Sequence, residues 1–524
     1  LDAESIFGLR RGQAVDACLP LTFVLVKFCT PISIYLFPHI ARMVMRVPSR
    51  KLRDLAREIW DMPDTPTNRF TDGPLGPIYL RTALPIIFVM GMNGLLSVAD
   101  ALFLGIFVGP DALAAVTLMF PIYMLIVALS TLVANGMSSL LARSLGAGDL
   151  DAARTTFAGA HGLAVGLGAV LIVVFALLGQ PVAVLAAGGS ETLAQMGLVY
   201  LRITVVFSPL LFVLSVNSDA LRNEGRVGFM AAMSLLVSTA NIGFNYLLIA
   251  VLDMGVAGSA YGTAAAQTLA FAIIVAFRMS AETSLRPTTL LSHSLCGNWG
   301  RILALGAPQS LNFIGLALGS AAIITAVQWI GRPGYADTMT AYGIITRVIT
   351  FAFLPLLGLS FALQTITGHN HGAALWHRSD ASLRMALWGA LAYCAVVQGL
   401  VVNMPGRIAG AFVDDVAVIH EVARILPVMT SVFFLVGPLM MIASYFQAIG
   451  SATKAAILGL SKPYAFAIPL TFLLPIHFGE IGIWYAGPLA EMMLLGLTAL
   501  VLWQLSRGGA LKWGLFQAGK GAPS

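Results

Sequence analysis

The chain has 524 residues, 58% of them hydrophobic and only 10% charged, with a formal net charge of +6. A soluble protein carries about 25% charged residues, and its buried strands run only about four to eight residues. Here apolar runs of membrane-helix length recur from end to end, which excludes a soluble core; a transmembrane barrel would show short alternating segments instead. The basic surplus is then explained by membrane topology rather than by nucleic acid. The cysteines Cys18, Cys29, Cys296 and Cys394 are scattered and suggest neither a disulfide framework nor a metal site.

Residues 1–75 form an N-terminal extension. Its apolar stretch 14–45 is broken by Lys27, Pro20, Pro31 and Pro38, and a basic amphipathic piece runs from Pro48 to Trp60. The segment fits one extra membrane helix or an interfacial one. A short polar stretch opens at Met62, where the functional protein is expected to begin.

From there the pattern predicts an all-α polytopic membrane protein with twelve transmembrane helices, at roughly 80–107, 115–142, 157–182, 196–216, 228–250, 257–279, 302–328, 338–364, 382–403, 420–446, 455–477 and 481–504. Helices one to six make an N-lobe, 76–280; a polar linker spans 281–300; helices seven to twelve make a C-lobe, 301–505; a tail covers 506–524. With Arg81 inside, the inner connections hold Arg143, Arg154, Arg222, Arg226, Arg278, Arg286, Arg301, Arg378, Arg384, Lys454 and Lys462. The outer ones hold mainly acids: Asp111, Glu191, Asp253, Asp337, Asp414, Asp415 and Glu480. This positive-inside bias places both ends of the twelve-helix core in the cytoplasm, as expected for a bacterial inner membrane protein.

The lobes are related by an internal repeat. ALPIIFVMGMNGLL at 83–96 matches GAPQSLNFIGLALG at 306–319, with Pro85 against Pro308, and Gly146 matches Gly368. Two pseudo-symmetric six-helix lobes are a common secondary-transporter plan.

Asp100 is the residue the N-lobe must explain. It lies well inside the first helix, and inserting a charge at such depth costs about 2.5–3.5 kcal/mol. Binding a proton, a cation or a hydrogen-bonded network lowers that cost. Asn241 and Asn245 are i and i+4 on one face of helix five, and Thr263 of helix six falls near the depth of Asp100 and Asn245. Gln267 is one turn deeper. Carboxylate, amide and hydroxyl oxygens suit Na⁺; they equally suit a protonatable Asp or ordinary polar helix packing. The glycines at 255, 258 and 262 read as close-packing positions.

The C-lobe carries Gln309 and Asn312 in helix seven, and Arg347 near the middle of helix eight, either snorkelling or lining a cavity. Glu491 is a second membrane carboxylate without evident partners in its lobe. Tyr123, Tyr342, Trp388, Tyr445 and Met440 read as core, belt or cavity lining. His369, His371 and His377 fall in a predicted inner loop, with weak metal-ligand spacing. The absence of a Walker loop, nicotinamide fingerprint or nucleophile elbow argues against an enzyme.

The segments that contain these residues resemble the multidrug and toxic compound extrusion family over about 75–505. The resemblance rests on Pro85, Asn93 and Asp100 in helix one, ADALFLGIFVGPDALAAVTLMFP at 99–121, NGMSSLLARSLGAGD at 135–149, LRNEG at 221–225, NIGFN…GVAGSAYGTAAAQ at 241–267 and GAPQSL at 306–311. It implies a two-lobe exporter that expels cationic and amphipathic small molecules in exchange for H⁺ or Na⁺, with no other cofactor and no nucleic acid partner. It would be surrounded by membrane lipid and act as a monomer. In the branch that is most similar, the coupling positions correspond to Asp100, Asn241, Asn245 and Thr263, which would also be the ligands if the ion is Na⁺. Asn245 stands where that branch commonly has Asp, which leaves Asp100 as the site's sole carboxylate. The Glu that another branch carries early in helix seven is absent; Gln309 and Asn312 occupy that neighbourhood. The alternative reading is a lipid-linked precursor flippase of a related two-lobe fold, which would need a basic cleft; Arg347 is its best candidate.

Overall fold

The computed structural model describes residues 68–187, 190–280, 283–331, 334–507, 511–512 and 516–517. The helix expected within 1–61 lies outside the described residues. Ten described helices are long and apolar enough to cross a membrane, and two bent pairs bring the number to twelve. They are α1 (Leu75–Phe103), α2 (Phe120–Gly146), α3 (Leu150–Ala186), α4 (Glu191–Val206 with Ser208–Asn223), α5 (Val227–Asn245), α6 (Gly255–Ser280), α7 (Trp299–Ile330), α8 (Tyr335–Gly372), α9 (Trp376–Asn403), α10 (Val416–Met429 with Phe433–Ala448), α11 (Ala452–Phe478) and α12 (Glu480–Arg507). In lipid a spanning helix satisfies its own backbone groups, which is why these apolar runs can only be helices or a closed barrel. The tail adds a two-residue antiparallel pair, Leu511–Lys512 against Phe516–Gln517.

Helix starts are fixed by side chains. Asp149 accepts a hydrogen bond from the Ala152 N–H at the start of α3, Ser190 caps α4, and Asp415 caps α10. The helices extend further than hydropathy predicts. His369 and His371 lie in the last turns of α8 rather than in a loop. Helices four and ten are each bent by 48° rather than straight.

The repeat is plain in the backbone. Positive φ angles recur in equivalent turns: Gly148 (74°) and Ala374 (57°), Gly225 (77°) and Gly450 (85°), Gly255 (55°) and Gly479 (62°). The bends in α4 and α10 are likewise equivalent. The same local chemistry thus folds twice.

The lobes meet where α7 crosses α2, and where α8 packs along α1 and α2. At the crossing, a Cβ on Gly136 would lie 2.0 Å from the Ile302 carbonyl oxygen, and one on Gly306 would lie 1.8 Å from that of Leu132. Near the helix ends, a Cβ on Gly146 would meet the His369 carbonyl at 2.1 Å. These are backbone-on-backbone contacts that only a missing side chain allows. Hydrogen bonds between lobes gather at the same, basic end. Asn135 Oδ1 accepts from Gln364 at 2.7 Å and from Gln447 at 2.9 Å. The Ser139 hydroxyl donates to the Gln447 carbonyl, and Arg222 donates to the Thr365 hydroxyl at 3.2 Å. Tyr79 meets the Ser382 hydroxyl at 2.7 Å.

Toward the other end, α1 stays on α8 through Ile87 against Gly358, and Gly94 against Leu354 and Phe351. Further along that face of α8, Arg347 is exposed, and a Cβ at Gly343 would meet nothing within 4 Å. The two lobes are therefore clasped at the basic end and separated at the opposite end.

Adding one methyl at the crossing should tell contact from open surface. Gly136→Ala is expected to destabilise the purified protein by about 1–3 kcal/mol, because overpacking forces the backbones apart. Gly91→Ala, whose Cβ meets nothing within 4 Å, should be neutral or stabilising by up to about 1 kcal/mol. Thermal unfolding of the two variants checks both signs.

Candidate functional site

The N-lobe site is built from α1, α5 and α6. Asp100 stands near the end of α1, just before a π-helical stretch, Leu104–Val108. Asn245 ends the regular part of α5, just before a second one, Tyr246–Val251. The two stretches touch each other. A π-turn shifts the hydrogen-bond register and re-aims side chains, and such turns concentrate at functional sites.

The four residues expected at the site form a continuous chain of hydrogen bonds. Asn245 Nδ2 donates to Asp100 Oδ1 at 2.6 Å and to Asn241 Oδ1 at 3.1 Å. Asn241 Nδ2 donates to the Thr263 hydroxyl oxygen at 2.8 Å. Both amides are fully buried, while Asp100 keeps partial exposure. The amide–carboxylate bond is charge-assisted, and so stronger than the neutral ones behind it. Tyr123 and Tyr200 lie within electrostatic range of Asp100.

Gly262 takes part through what it lacks. A Cβ there would lie 2.1 Å from Asn245 Oδ1. This oxygen is buried and, among the described residues, has no hydrogen-bond partner. Gly262 is thus a packing position, as the sequence suggests, and the group it makes room for is the carboxamide that holds Asp100.

The arrangement can be tested against both candidate ions. A proton on Asp100 neutralises the carboxylate with no movement of the backbone. Na⁺ would draw on Asp100, the Asn241 and Asn245 oxygens and the Thr263 hydroxyl, a donor set that suits a hard cation. Asn245 presents its N–H₂ to Asp100 and its oxygen to Gly262, so Na⁺ would require that amide to turn over.

The remaining candidates separate. Gln267 is half-buried on α6 and outside the hydrogen-bond chain. Gln309 and Asn312 are half-buried on α7 and outside the hydrogen-bond chain of Asp100. Arg347 is exposed on α8. Glu491 is buried on α12 and forms an ion pair with Lys462. Lys462 corrects the sequence-based topology. It is not in an inner connection but within α11, on a third π-helical stretch, Ser461–Ala467. The charge pattern counts it with the inner connections, although the predicted eleventh helix, 455–477, already includes it. In the fold it supplies the partner that Glu491 seemed to lack.

Sequence reasoning treated two other cations only as topology markers. Arg222 and Arg278 are both buried. Arg222 pairs with Asp219 at 2.9 Å. Arg278 pairs with Glu224 at 2.8 Å and donates to the Leu285 carbonyl, tying the linker back to α4. The spacing of Asp219 and Arg222, three apart on a helix, was a usable signal. Of the aromatic candidates, Tyr342 and Tyr445 are buried core, Tyr123 is half-buried, and Trp388 is exposed on α9.

The family model described as MatE matches residues 85–247 and 308–473, two blocks that fall one in each lobe and together cover well over half of the chain. The chain belongs to the MatE family. Among relatives of this MatE chain, the multidrug export protein MepA of Staphylococcus aureus (strain NCTC 8325) is 23% identical over 452 residues, covering 85% of this chain and 97% of MepA. The probable multidrug resistance protein YoeA of Bacillus subtilis is 23% identical over 400 residues, covering 74% of this chain and 84% of YoeA. Among solved structures, an outward-facing multidrug resistance MATE family transporter superposes with a TM-score of 0.76 at 22% identity, covering 86% of this chain and 99% of that one. A transporter of the same superfamily from Pyrococcus furiosus gives 0.76 at 21% identity, with the same coverage. The two-lobe fold is shared, and the family is one of transporters rather than enzymes.

The Lys462–Glu491 pair gives a stability test. Lys462→Met leaves a carboxylate buried and uncompensated, and should destabilise by roughly 3 kcal/mol. Lys462→Met combined with Glu491→Met removes both charges and should recover most of that loss in thermal unfolding of the purified protein.

Proposed function

We propose that this chain is a proton-coupled multidrug exporter of a bacterial inner membrane, expelling cationic and amphipathic small molecules by alternating access. The observation that carries the reading is the bond from the Asn245 amide to Asp100, a carboxylate placed within a membrane span. Asp100 is the N-lobe site's one acid, so its charge can serve either a bound organic cation or a proton, and not both.

The cycle follows from that competition. With the basic end in the cytoplasm, the separated end of the lobes opens to the outside. A proton arriving there neutralises Asp100. The Asn245 amide then loses its charged acceptor and the drug loses its counter-charge. The drug leaves outward, α1 shifts against α5 and α6, and the inter-lobe contacts around Asn135, Gln364 and Gln447 release. The lobes reopen inward, where a new cation displaces the proton. The names of MepA and YoeA support the drug-export part of this reading. The donor orientation of Asn245 favours H⁺ over Na⁺, since a proton needs no turn of the amide.

The test uses sealed proteoliposomes loaded with a fluorescent organic cation. An inward H⁺ gradient should drive efflux in the parent, and Asp100→Asn should lower the initial rate by a factor of about ten or more. Efflux driven only by an inward Na⁺ gradient would replace the proton with Na⁺. Unchanged efflux in Asp100→Asn would overturn the coupling role of this carboxylate.

A further inference from the structure

The C-lobe wall of the cleft carries a fixed positive charge opposite the carboxylate. Arg347 lies about 18 Å along α8 from Tyr335, at 1.5 Å per residue. At about 100° per residue, it shares a face with Phe351, Leu354 and Gly358, all within about 40° of it. These three residues touch α1: Leu354 and Phe351 at Gly94, and Gly358 at Ile87. The face of α8 that bears Arg347 is therefore the one turned toward α1 of the N-lobe.

The same contacts set its height. Asp100 is about 9 Å beyond Gly94 along α1, and Arg347 is about 6 Å beyond Phe351 along α8. The acid and the guanidinium stand at nearly one depth, on the two sides of the space where the lobes separate. Asp100 is engaged by Asn245. Arg347 is exposed and, among the described residues, has no hydrogen-bond or ion-pair partner. An unpaired Arg at this depth is expensive unless something with charge or water faces it. Its planar fork matches an oxyanion in two-point contact, which a lysine would not.

We infer that Arg347 is an anion-binding residue of the inter-lobe cleft, which takes the carboxylate or phosphate of an amphiphile bound there. This deepens the exporter reading and rests on it for the identity of the cleft as the transport route. A purely cationic substrate would use the Asp100 side alone; a zwitterion would span both walls. The oxyanion could belong to the transported solute or to a phospholipid headgroup entering the cleft.

The experiment compares binding of two dyes to the purified protein by fluorescence anisotropy. One is a xanthene dye with a free carboxylate, the other its ethyl ester, so they differ in one negative charge. Arg347→Gln should weaken the carboxylate form by on the order of tenfold, leave the ester within about twofold, and be partly rescued by Arg347→Lys. The ester serves as the folding control. Repeating the titration with phosphatidylglycerol or phosphatidylcholine in the micelles distinguishes the sources. Competition by the anionic lipid alone assigns the site to a headgroup phosphate; no competition assigns it to the solute. Equal weakening of both dyes, or none of either, would overturn the role of Arg347. Because this reads binding and not flux, it stands apart from the exporter reading, which fails only if the ester is not driven out of proteoliposomes by any ion gradient.

Discussion

The hydrogen bond from Asn245 to Asp100 is the constraint around which the N-lobe is arranged. A carboxylate inside a membrane span must be neutralised, solvated or given a donor, and here the donor comes from a neighbouring helix. Asn245 reaches it at the point where α5 changes register, and Gly262 leaves room for the far side of the amide. Asn241 and Thr263 then hold Asn245 from behind. Three helices are thus tied to the charge of one atom. Protonating Asp100 would weaken the first bond, and the change would pass directly to the relative placement of α1, α5 and α6. On the proposed reading, this is how an ion event becomes a movement of a helix.

The second constraint is how the lobes are joined. Glycines at 136, 146 and 306 let backbone meet backbone at the basic end, and Asn135, Gln364 and Gln447 add short polar bonds there. Such a contact is tight but narrow. Arg222 over Phe361 and Tyr79 against Ser382 are the large side chains that bridge it; on the proposed reading these contacts part when α1 moves. The C-lobe has a different electrostatic solution. Its buried carboxylates have built-in cations, Lys462 for Glu491 and Arg424 for Glu480, whereas among the described residues Asp100 is met by the Asn245 amide. Glu491 is thus neutralised from within the protein, and on the proposed reading the charge of Asp100 is balanced by what binds there.

Much of this was legible in the chain. The twelve spans, the repeat and the family follow from hydropathy, charge bias and motif, because lipid leaves the backbone little choice. Asp100, Asn241, Asn245 and Thr263 were found from depth and i,i+4 spacing, and the structure brings those four side chains together. What hydropathy could not see was departure from regular helix. The π-helical stretches after Phe103 and after Asn245 carry no compositional mark, while the one around Lys462 and the 48° bends in α4 and α10 fall at or near Pro463, Pro209 and Pro427 inside runs long enough to read as straight helices. Lys462 is counted among the inner-connection cations although it falls inside the predicted eleventh helix, because its partner Glu491 lies about thirty positions away on another helix. Arg222 and Arg278 satisfied the positive-inside rule so well that their burial was hidden by it.

The central claim is that a bound cation and a proton compete for the charge on Asp100. The most direct measurement is the affinity of the purified protein for a purely cationic dye as a function of pH, without Na⁺, in the parent and in Asp100→Asn. The account predicts that the parent's affinity falls steadily as pH is lowered, while the variant binds weakly with no such dependence. The same pH dependence in both proteins would place the competing proton elsewhere and contradict the account.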